Sequence, residues 1–262
     1  MKQLLIIPKI NDIQQSLELA ERYSLGFEYN DFFAPSVLDS ERLTNEIIDR
    51  YKKHSLPHFT TIHGAFFDVI PFSPDDRIRE ISLLRIEQSI SAAKRINAGA
   101  VVFHTNYNPF LSSKAYDLEW VIQNADIWSA ILHKHSDINI YLENMFDKSP
   151  EILCRLSEKL CAYSNYGVCL DYAHAALSDV AAQMWAEMLG GYIKHIHLND
   201  NDLKSDLHLA WGDGLIDRDT FYNCYEKHLN GASVLIEVSD TDKQNRSVMR
   251  LVKDGFIRTE VK

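Results

Sequence analysis

The sequence is poor in the features that mark secreted, membrane-spanning or dinucleotide-binding chains. Its four cysteines, Cys154, Cys161, Cys169 and Cys224, show no C-x-x-C spacing, and a chain of this size does not need disulfide staples. They are expected to be reduced and mostly in the core. No apolar run approaches the length of a membrane span, and the apolar start of Met1–Ile10, interrupted by Pro8 and Lys9, is too short for a signal h-region. A cytoplasmic protein with no membrane partner is predicted. No G-x-G-x-x-G turn follows any apolar run, which removes the case for a dinucleotide fold. Positive charge is also scarce: 27 basic against 37 acidic residues leave a net charge of −10. That balance disfavours broad contact with nucleic acid or anionic membrane. It leaves a phosphate substrate open, because bound metal ions would invert the local field.

What is present is ordinary globular composition, 46% hydrophobic and 24% charged, with no low-complexity tract or Pro/Gly/Ser-rich linker. One domain over residues 1–262 is expected. Apolar β-like runs alternate with amphipathic helical stretches, the pattern of a parallel sheet. The predicted strands are Leu4–Ile7, Gly26–Tyr29, Phe59–His63, Ala100–His104, Ile138–Glu143, Gly167–Asp171, Tyr192–Leu198 and Ser233–Val238. Helices are predicted from Ile13 to Tyr23 and from Ser40 to His54. A third should start with Ser73 as N-cap, Pro74 at N1 and Asp75 and Asp76 in its first turn, and run to about Asn97. Eight such units in a chain of this length predict a closed (β/α)₈ barrel rather than an open sheet.

The last residues of those strands carry the chemistry. His63, His104, Glu143, Asp171, His197 and Glu237 are separated by 41, 39, 28, 26 and 40 positions, about one β/α unit each time. In a barrel all of them reach the C-terminal rim, where barrel enzymes place catalytic groups. Strand parity turns Thr61 and His63, Val102 and His104, Cys169 and Asp171, and Leu235 and Glu237 to one side. The large apolar residues between them, such as Ile62, Phe103, Leu142, Leu170 and Ile236, suit the helix-facing side. Clustered imidazoles and carboxylates would repel or stand desolvated unless a cation held them, and this donor set suits zinc, manganese or a related ion. His174 in Asp171-Tyr-Ala-His174, and Asp206 and His208 after strand seven, are further candidate ligands. Asn199, Asp200 and Asp202 read as supporting or turn residues. His195 reads as a hydrogen-bonded core residue, and His54, His58, His133, His135 and His228 as surface.

At these residues the chain resembles the xylose isomerase-like TIM barrel superfamily, which includes sugar isomerases and epimerases and the endonuclease IV-like AP endonuclease family 2. The stretches that carry the resemblance are IHGAFFDVIPFSPDD, VVFHTNYNP, YLENM, LDYAHA, HIHLNDND, SDLHLAWGDGLID and LIEV, and it extends over nearly the whole chain. The resemblance to ketose 3-epimerase-like members implies one metal held by Glu143, Asp171, His197 and Glu237, with His174 contacting substrate. Resemblance to the endonuclease IV pattern implies up to three ions. His63, His104 and Glu143 would hold one, Glu143, Asp171, His197 and Glu237 a second, and His174, Asp206 and His208 a third. Departures favour a small substrate: the first strand lacks a Gly-x-His-type start, FEYNDFFAPSVL carries no basic residue, and Leu207 stands where the nuclease pattern has Arg. Phe66 and Phe67 lie where the nucleases place DNA wedges, but they serve equally as a wall for a sugar ring. Trp211 is a third candidate substrate contact.

The expected activity is therefore a divalent-metal-dependent isomerase or epimerase of a sugar, sugar phosphate or related polyol. One to three Zn²⁺ or Mn²⁺ ions serve it, and Glu143, Glu237 and His174 are its catalytic groups. A multinuclear zinc phosphoesterase is the rival enzyme, with duplex DNA disfavoured as its substrate. A non-catalytic metal-binding barrel is the third reading.

Overall fold

The computed structural model describes residues 2–66, 68–111 and 113–257. Eight parallel strands close into a barrel in sequence order: β1 Leu4–Ile6, β2 Gly26–Tyr29, β3 Thr60–His63, β4 Ala100–His104, β5 Asn139–Glu143, β6 Tyr166–Asp171, β7 Ile193–Leu198 and β8 Ser233–Ile236. The barrel closes where Leu5 of β1 pairs with Leu235 of β8. Around it lie α1 Ile13–Tyr23, α2 Pro35–Leu38, α3 Glu41–Lys52, α4 Asp76–Ile96, α5 Lys114–Lys134, α6 Glu151–Leu160, α7 Tyr172–Ala176, α8 Ala182–Leu189, α9 Arg218–Cys224 and α10 Thr241–Lys253. Among the described residues no helix is long and apolar enough to cross a membrane.

The expected boundaries shift at several ends for local reasons. The helix predicted to be capped by Ser73 is capped instead by Asp75, whose carboxylate accepts the N–H groups of Arg77 and Ile78. Ser73 closes a turn, its N–H reaching Ile70 O and its hydroxyl accepting from Asp75 N. β7 begins one residue later than expected because Tyr192 N–H turns back to Leu189 O. β8 ends at Ile236, where Val238 N–H bonds Ile236 O in a tight turn, so Glu237 stands just beyond the strand with its own N–H on Leu198 O.

Two separate apolar clusters result. The large one lies between sheet and helices and contains the residues predicted to face outward, Ile62, Phe103, Leu142, Leu170 and Ile236. Inside the barrel the apolar cluster is only Leu5, Ile7 and Leu235. The buried polar residues Glu28, Thr61, His63, Glu143, Asp171, His195, His197 and Ser233 come from β2, β3, β5, β6, β7 and β8. Of the cysteines, all free, Cys169 and Cys224 are buried, Cys154 is half-buried and Cys161 is exposed, so fewer are core than expected. His135, expected at the surface, is buried at the end of α5, where Lys94 and Glu87 meet its ring.

Candidate active site

Register sets the floor of the site. His104 pairs directly with Glu143 across β4 and β5, and Asp171 with His197 across β6 and β7. Beyond the end of β5, Asn144 extends the ladder with its side chain: its amide donates to Asp171 O at 3.0 Å and accepts from Asp171 N at 2.9 Å. That reciprocal pair fixes Asp171, whose carboxylate also caps α7 by accepting from His174 N at 2.7 Å. His197 Nδ1 lies 3.1 Å from Glu143 Oε1 and 3.4 Å from Glu237 Oε1, and His63 Nε2 lies 3.4 Å from Glu143 Oε2.

Ligating atoms of His63, Glu143, His197 and Glu237 all fall within 4.8 Å of one another, as do those of Glu143, Asp171 and His174. Glu143 is shared between the two groups. The structure thus joins His63 to Glu143, His197 and Glu237, and draws Asp171 toward His174. His104, Asp206 and His208 stand just outside these groups. His104 Nε2 is 3.5 Å from Glu143 Oε2, and His174 and His208 direct Nε2 at the same oxygen, Asp206 Oδ2, at 3.3 and 3.2 Å.

The orientation of the imidazoles tests whether this donor set suits a metal. His63, His174 and His208 each place Nδ1 3.0 Å from a backbone carbonyl, of Gly64, Asn144 and Glu237. A carbonyl only accepts, so each Nδ1 carries a proton, and each Nε2, facing a carboxylate, either shares a second proton with it or offers its lone pair to a bound cation. Lone pair against anion is unfavourable without a shared cation, and backbone-oriented histidines are the usual support of metal ligands. Glu143 Oε2, Asp171 Oδ2 and Asp206 Oδ1 are buried with no aligned hydrogen-bond partner, again the condition of waiting ligand atoms. The residues fit a divalent metal.

Proton balance in the metal-free site follows from the same packing. Burial opposes ionisation of Glu143, but the imidazoles of His197 and His104 outweigh it and hold the carboxyl well below its ordinary range. Glu237 falls to about 2 in the same way, through His197. Asp171 is pushed up to about 8, mainly by burial and also by Glu237 and Glu143, with His174 opposing. Burial alone would neutralise His63, His174 and His197, yet Glu143 at His63, Asp171 and Asp206 at His174, and Cys169 followed by Glu143 and Glu237 at His197 raise all three above the ordinary imidazole value. His104, with less help, drops to about 4.

Above the floor opens a cavity of about 610 Å³, lined by His63, His104, His174, Asp206, His208 and Glu237 on its polar side and by Ile7, Phe66, Met145 and Phe146 on its apolar side. No Lys or Arg lines it among the described residues. Phe66 packs 5.0 Å from the His63 ring and 5.2 Å from the His104 ring, measured between centroids. Trp211, expected at the substrate, is instead a core residue, 1% exposed, its indole N–H on Tyr222 and its ring against Phe221. Phe67 lies outside the described residues. A larger cavity of about 810 Å³ sits at the opposite end of the barrel, among Gln3, Leu25, His54 and Phe59, remote from the ligand cluster.

Residues 19–254 match the family described as the xylose isomerase-like TIM barrel. The chain belongs to that family. The uncharacterized protein MJ1311 of Methanocaldococcus jannaschii is 30% identical over 181 residues, which are 65% of this chain and 59% of that protein, so the match spans less than two thirds of the relative's length. Among solved structures, the TTHB071 protein from Thermus thermophilus, soaked with ZnCl₂, superposes with a TM-score of 0.78 at 23% identity over 99% of this chain and 100% of the other. A D-tagatose 3-epimerase-like protein gives 0.73 at 20% identity over 98% and 100%. At these identities the likeness concerns the fold.

In this xylose isomerase-like barrel, further polar residues surround the ligand cluster. Asp200, foreseen as a supporting residue, gathers the N–H groups of Asn201, Gly212, Gly214 and Ile216 on its carboxylate and so shapes the loop carrying Asp206 and His208. Asn199 donates to Glu237 Oε2 at 3.2 Å. His195 is hydrogen-bonded in the core as expected, between Ser233 and Glu28. Glu28 itself was not foreseen. The available signal was an acidic residue within an otherwise apolar strand, Gly26–Tyr29, which buries fully only if partnered.

Proposed function

We propose that this chain is a divalent-metal-dependent isomerase or epimerase of a sugar or related polyol. The observation that carries the reading is the pair Glu143 and Glu237. They come from the end of β5 and from just beyond β8 and converge on His197 Nδ1 at 3.1 and 3.4 Å, Glu237 lining the cavity whose apolar wall includes Phe66 and Phe146. Glu143, His197, Glu237 and His63 would hold the ion, with Asp171 beside them. Zinc or manganese bound there supplies a Lewis acid that acidifies a C–H next to a carbonyl. Glu143 and Glu237 then divide the proton transfers. In the substrate complex one carboxylate would be ionised and would take the proton from carbon, leaving an enediolate, while the other would enter protonated and return its own proton to the opposite face, so that the two exchange protonation states over the turnover. His174 faces the same space and donates to the developing oxygen charge. The apolar wall suits the C–H face of a sugar ring, and a cavity without Lys or Arg suits an uncharged substrate better than a phosphorylated one. The similarity to a D-tagatose 3-epimerase-like fold supports the same reading.

A second reading, a multinuclear phosphoesterase, is favoured by one observation: His174 and His208 share Asp206 Oδ2 while His104 approaches Glu143, a donor array larger than a single ion needs. Two measurements separate the readings. In D₂O, the wild type should wash deuterium into a ketose from a panel of common hexoses and pentoses, and Glu237→Gln should not while remaining folded. Zinc content of wild type and of His104→Ala/His208→Ala should be about one equivalent in both. Two or three equivalents falling toward one, with hydrolysis of a nitrophenyl phosphodiester and no deuterium uptake, would replace the epimerase by the phosphoesterase. Metal binding without either reaction would leave a binding module.

A further inference from the structure

Beneath the ligand cluster lies a second buried layer that the proposed chemistry does not use. Glu28, on β2, is fully buried and has no basic Lys or Arg partner. Its Oε2 accepts from the Thr61 hydroxyl at 2.6 Å and lies 3.1 Å from His195 Nε2. The far side of His195 meets the Ser233 hydroxyl at 2.6 Å. The hydroxyl also lies 3.3 Å from Lys194 O, but the contact with Nδ1 is far shorter. Because a carboxylate only accepts, the proton of the neutral His195 ring belongs on Nε2, pointing at Glu28, with the hydroxyl donating to Nδ1. The other carboxylate oxygen, Oε1, lies 3.2 Å from His197 Nε2. That approach is off the ideal direction, and neither atom has an aligned hydrogen-bond partner elsewhere.

We infer that Glu28 is a positioning residue for the metal site: by accepting the Nε2 proton of His197, it directs the ring's Nδ1 lone pair toward Glu143 and Glu237. The two ring nitrogens have complementary duties. If Nε2 keeps its proton for Glu28, Nδ1 has none and is a ligand atom, and it is Nδ1 that sits 3.1 Å from Glu143 Oε1 and 3.4 Å from Glu237 Oε1. His197 differs here from His63, His174 and His208, which are oriented by backbone carbonyls and present Nε2. A carboxylate behind a ligating imidazole both fixes the ring and raises its basicity. Thr61 and His195 complete the work by holding Oε2, so that the Glu28 carboxylate cannot turn away. Cys169 also lies near the His197 ring, but a thiol is a much weaker acceptor than the Glu28 carboxylate, and the His63 ring meets His197 only as a tilted ring at 5.7 Å between centroids.

This inference rests on the metal reading, and the experiment separates the two. Zinc affinity of the chelator-stripped protein is measured by competition with a chromophoric chelator for wild type, Glu28→Gln and Ser233→Ala. Glu28→Gln keeps the shape but presents an amide whose N–H group can face Nε2, so its zinc affinity should fall by about 10- to 100-fold. Ser233→Ala breaks the far end of the layer and leaves Glu28 against His197, so its affinity should change much less. A wild type that does not bind zinc would overturn the metal reading and this inference with it. Zinc-binding wild type with an unchanged Glu28→Gln, or equal losses in both variants, would overturn the positioning role alone. Long-range ¹H–¹⁵N correlation spectra of the zinc-loaded wild type decide the matter even if Glu28→Gln does not fold. A His197 proton on Nε2 supports the role, and a proton on Nδ1 overturns it.

Discussion

Asp147 offers a perturbation whose size follows from the structure. It follows the cavity-lining Met145 and Phe146 and is 2% exposed. Its Oδ2 accepts from Met145 N at 2.9 Å, while Oδ1 is buried without a partner. Burial pushes its carboxyl from 3.8 up to about 6, against the opposing pull of the Met145 N–H and of His174. The native state therefore holds this proton at pH values where the unfolded chain has released it, so the group contributes nothing below the unfolded value. Its cost grows as pH rises from 3.8 toward 6 and is complete above that. A gap of about 2 between the two values corresponds to about 3 kcal/mol, of which about 2 kcal/mol develops between about pH 4.5 and pH 7.5. Asp147→Asn removes the titration. Urea unfolding of wild type and variant, both stripped of metal, should show the variant gaining on the wild type by about 2 kcal/mol over that interval. Any constant offset from burying the new amide drops out of the comparison. A stability difference that stays flat with pH would refute the argument that Asp147 is forced into a site hostile to its charge.

Asp200→Ala should cost about 3 to 5 kcal/mol, because four backbone N–H groups lose a charged acceptor together. A urea midpoint near wild type would mean that the Asp206–His208 loop is shaped by something else. Gly64→Ala should cost about 1 to 3 kcal/mol, since the new methyl would fall 2.4 Å from Phe103 Cε1 in a packed core. Adding Phe103→Leu should recover part of that loss in a double-mutant cycle, and strict additivity would count against the clash. Zinc binding near neutral pH should release protons, because His63, His174 and His197 hold theirs more tightly than free imidazoles in the metal-free site. Calorimetry in buffers of different ionisation enthalpy reads the number directly, and affinity should climb with pH. No dependence on buffer would show that these rings are already neutral.

The fold was legible because its signal is repetitive. Each strand is a short apolar run, the six from β3 to β8 end at or beside a rim residue, and the large residues at alternate positions were assigned to the helix side, where they lie. The same parity brought His63, Glu143 and His197 to one place from positions far apart in sequence. What parity could not supply was the grouping within the cluster. That depends on the tilt of neighbouring strands and on backbone carbonyls that orient individual rings, as Asn144 O does for His174. Trp211 illustrates another limit. An aromatic in a polar loop reads as a substrate contact, yet the Asp200-centred turn carries it into the core beside Phe221. Glu28 was missed because a single acidic residue in a strand shows its purpose only beside its partners.

The separation of the two apolar clusters has a bearing on how such a barrel can change. Cohesion belongs to the outer shell, where helices clamp the sheet, while the bore of the barrel carries mostly polar cargo around Leu5, Ile7 and Leu235. Substitutions in the bore can therefore retune donors and acceptors without taking apart the scaffold that holds them. The cost is that the bore is never merely filler: each group there leans on its neighbours, so new chemistry has to arrive as compatible pairs rather than as lone replacements.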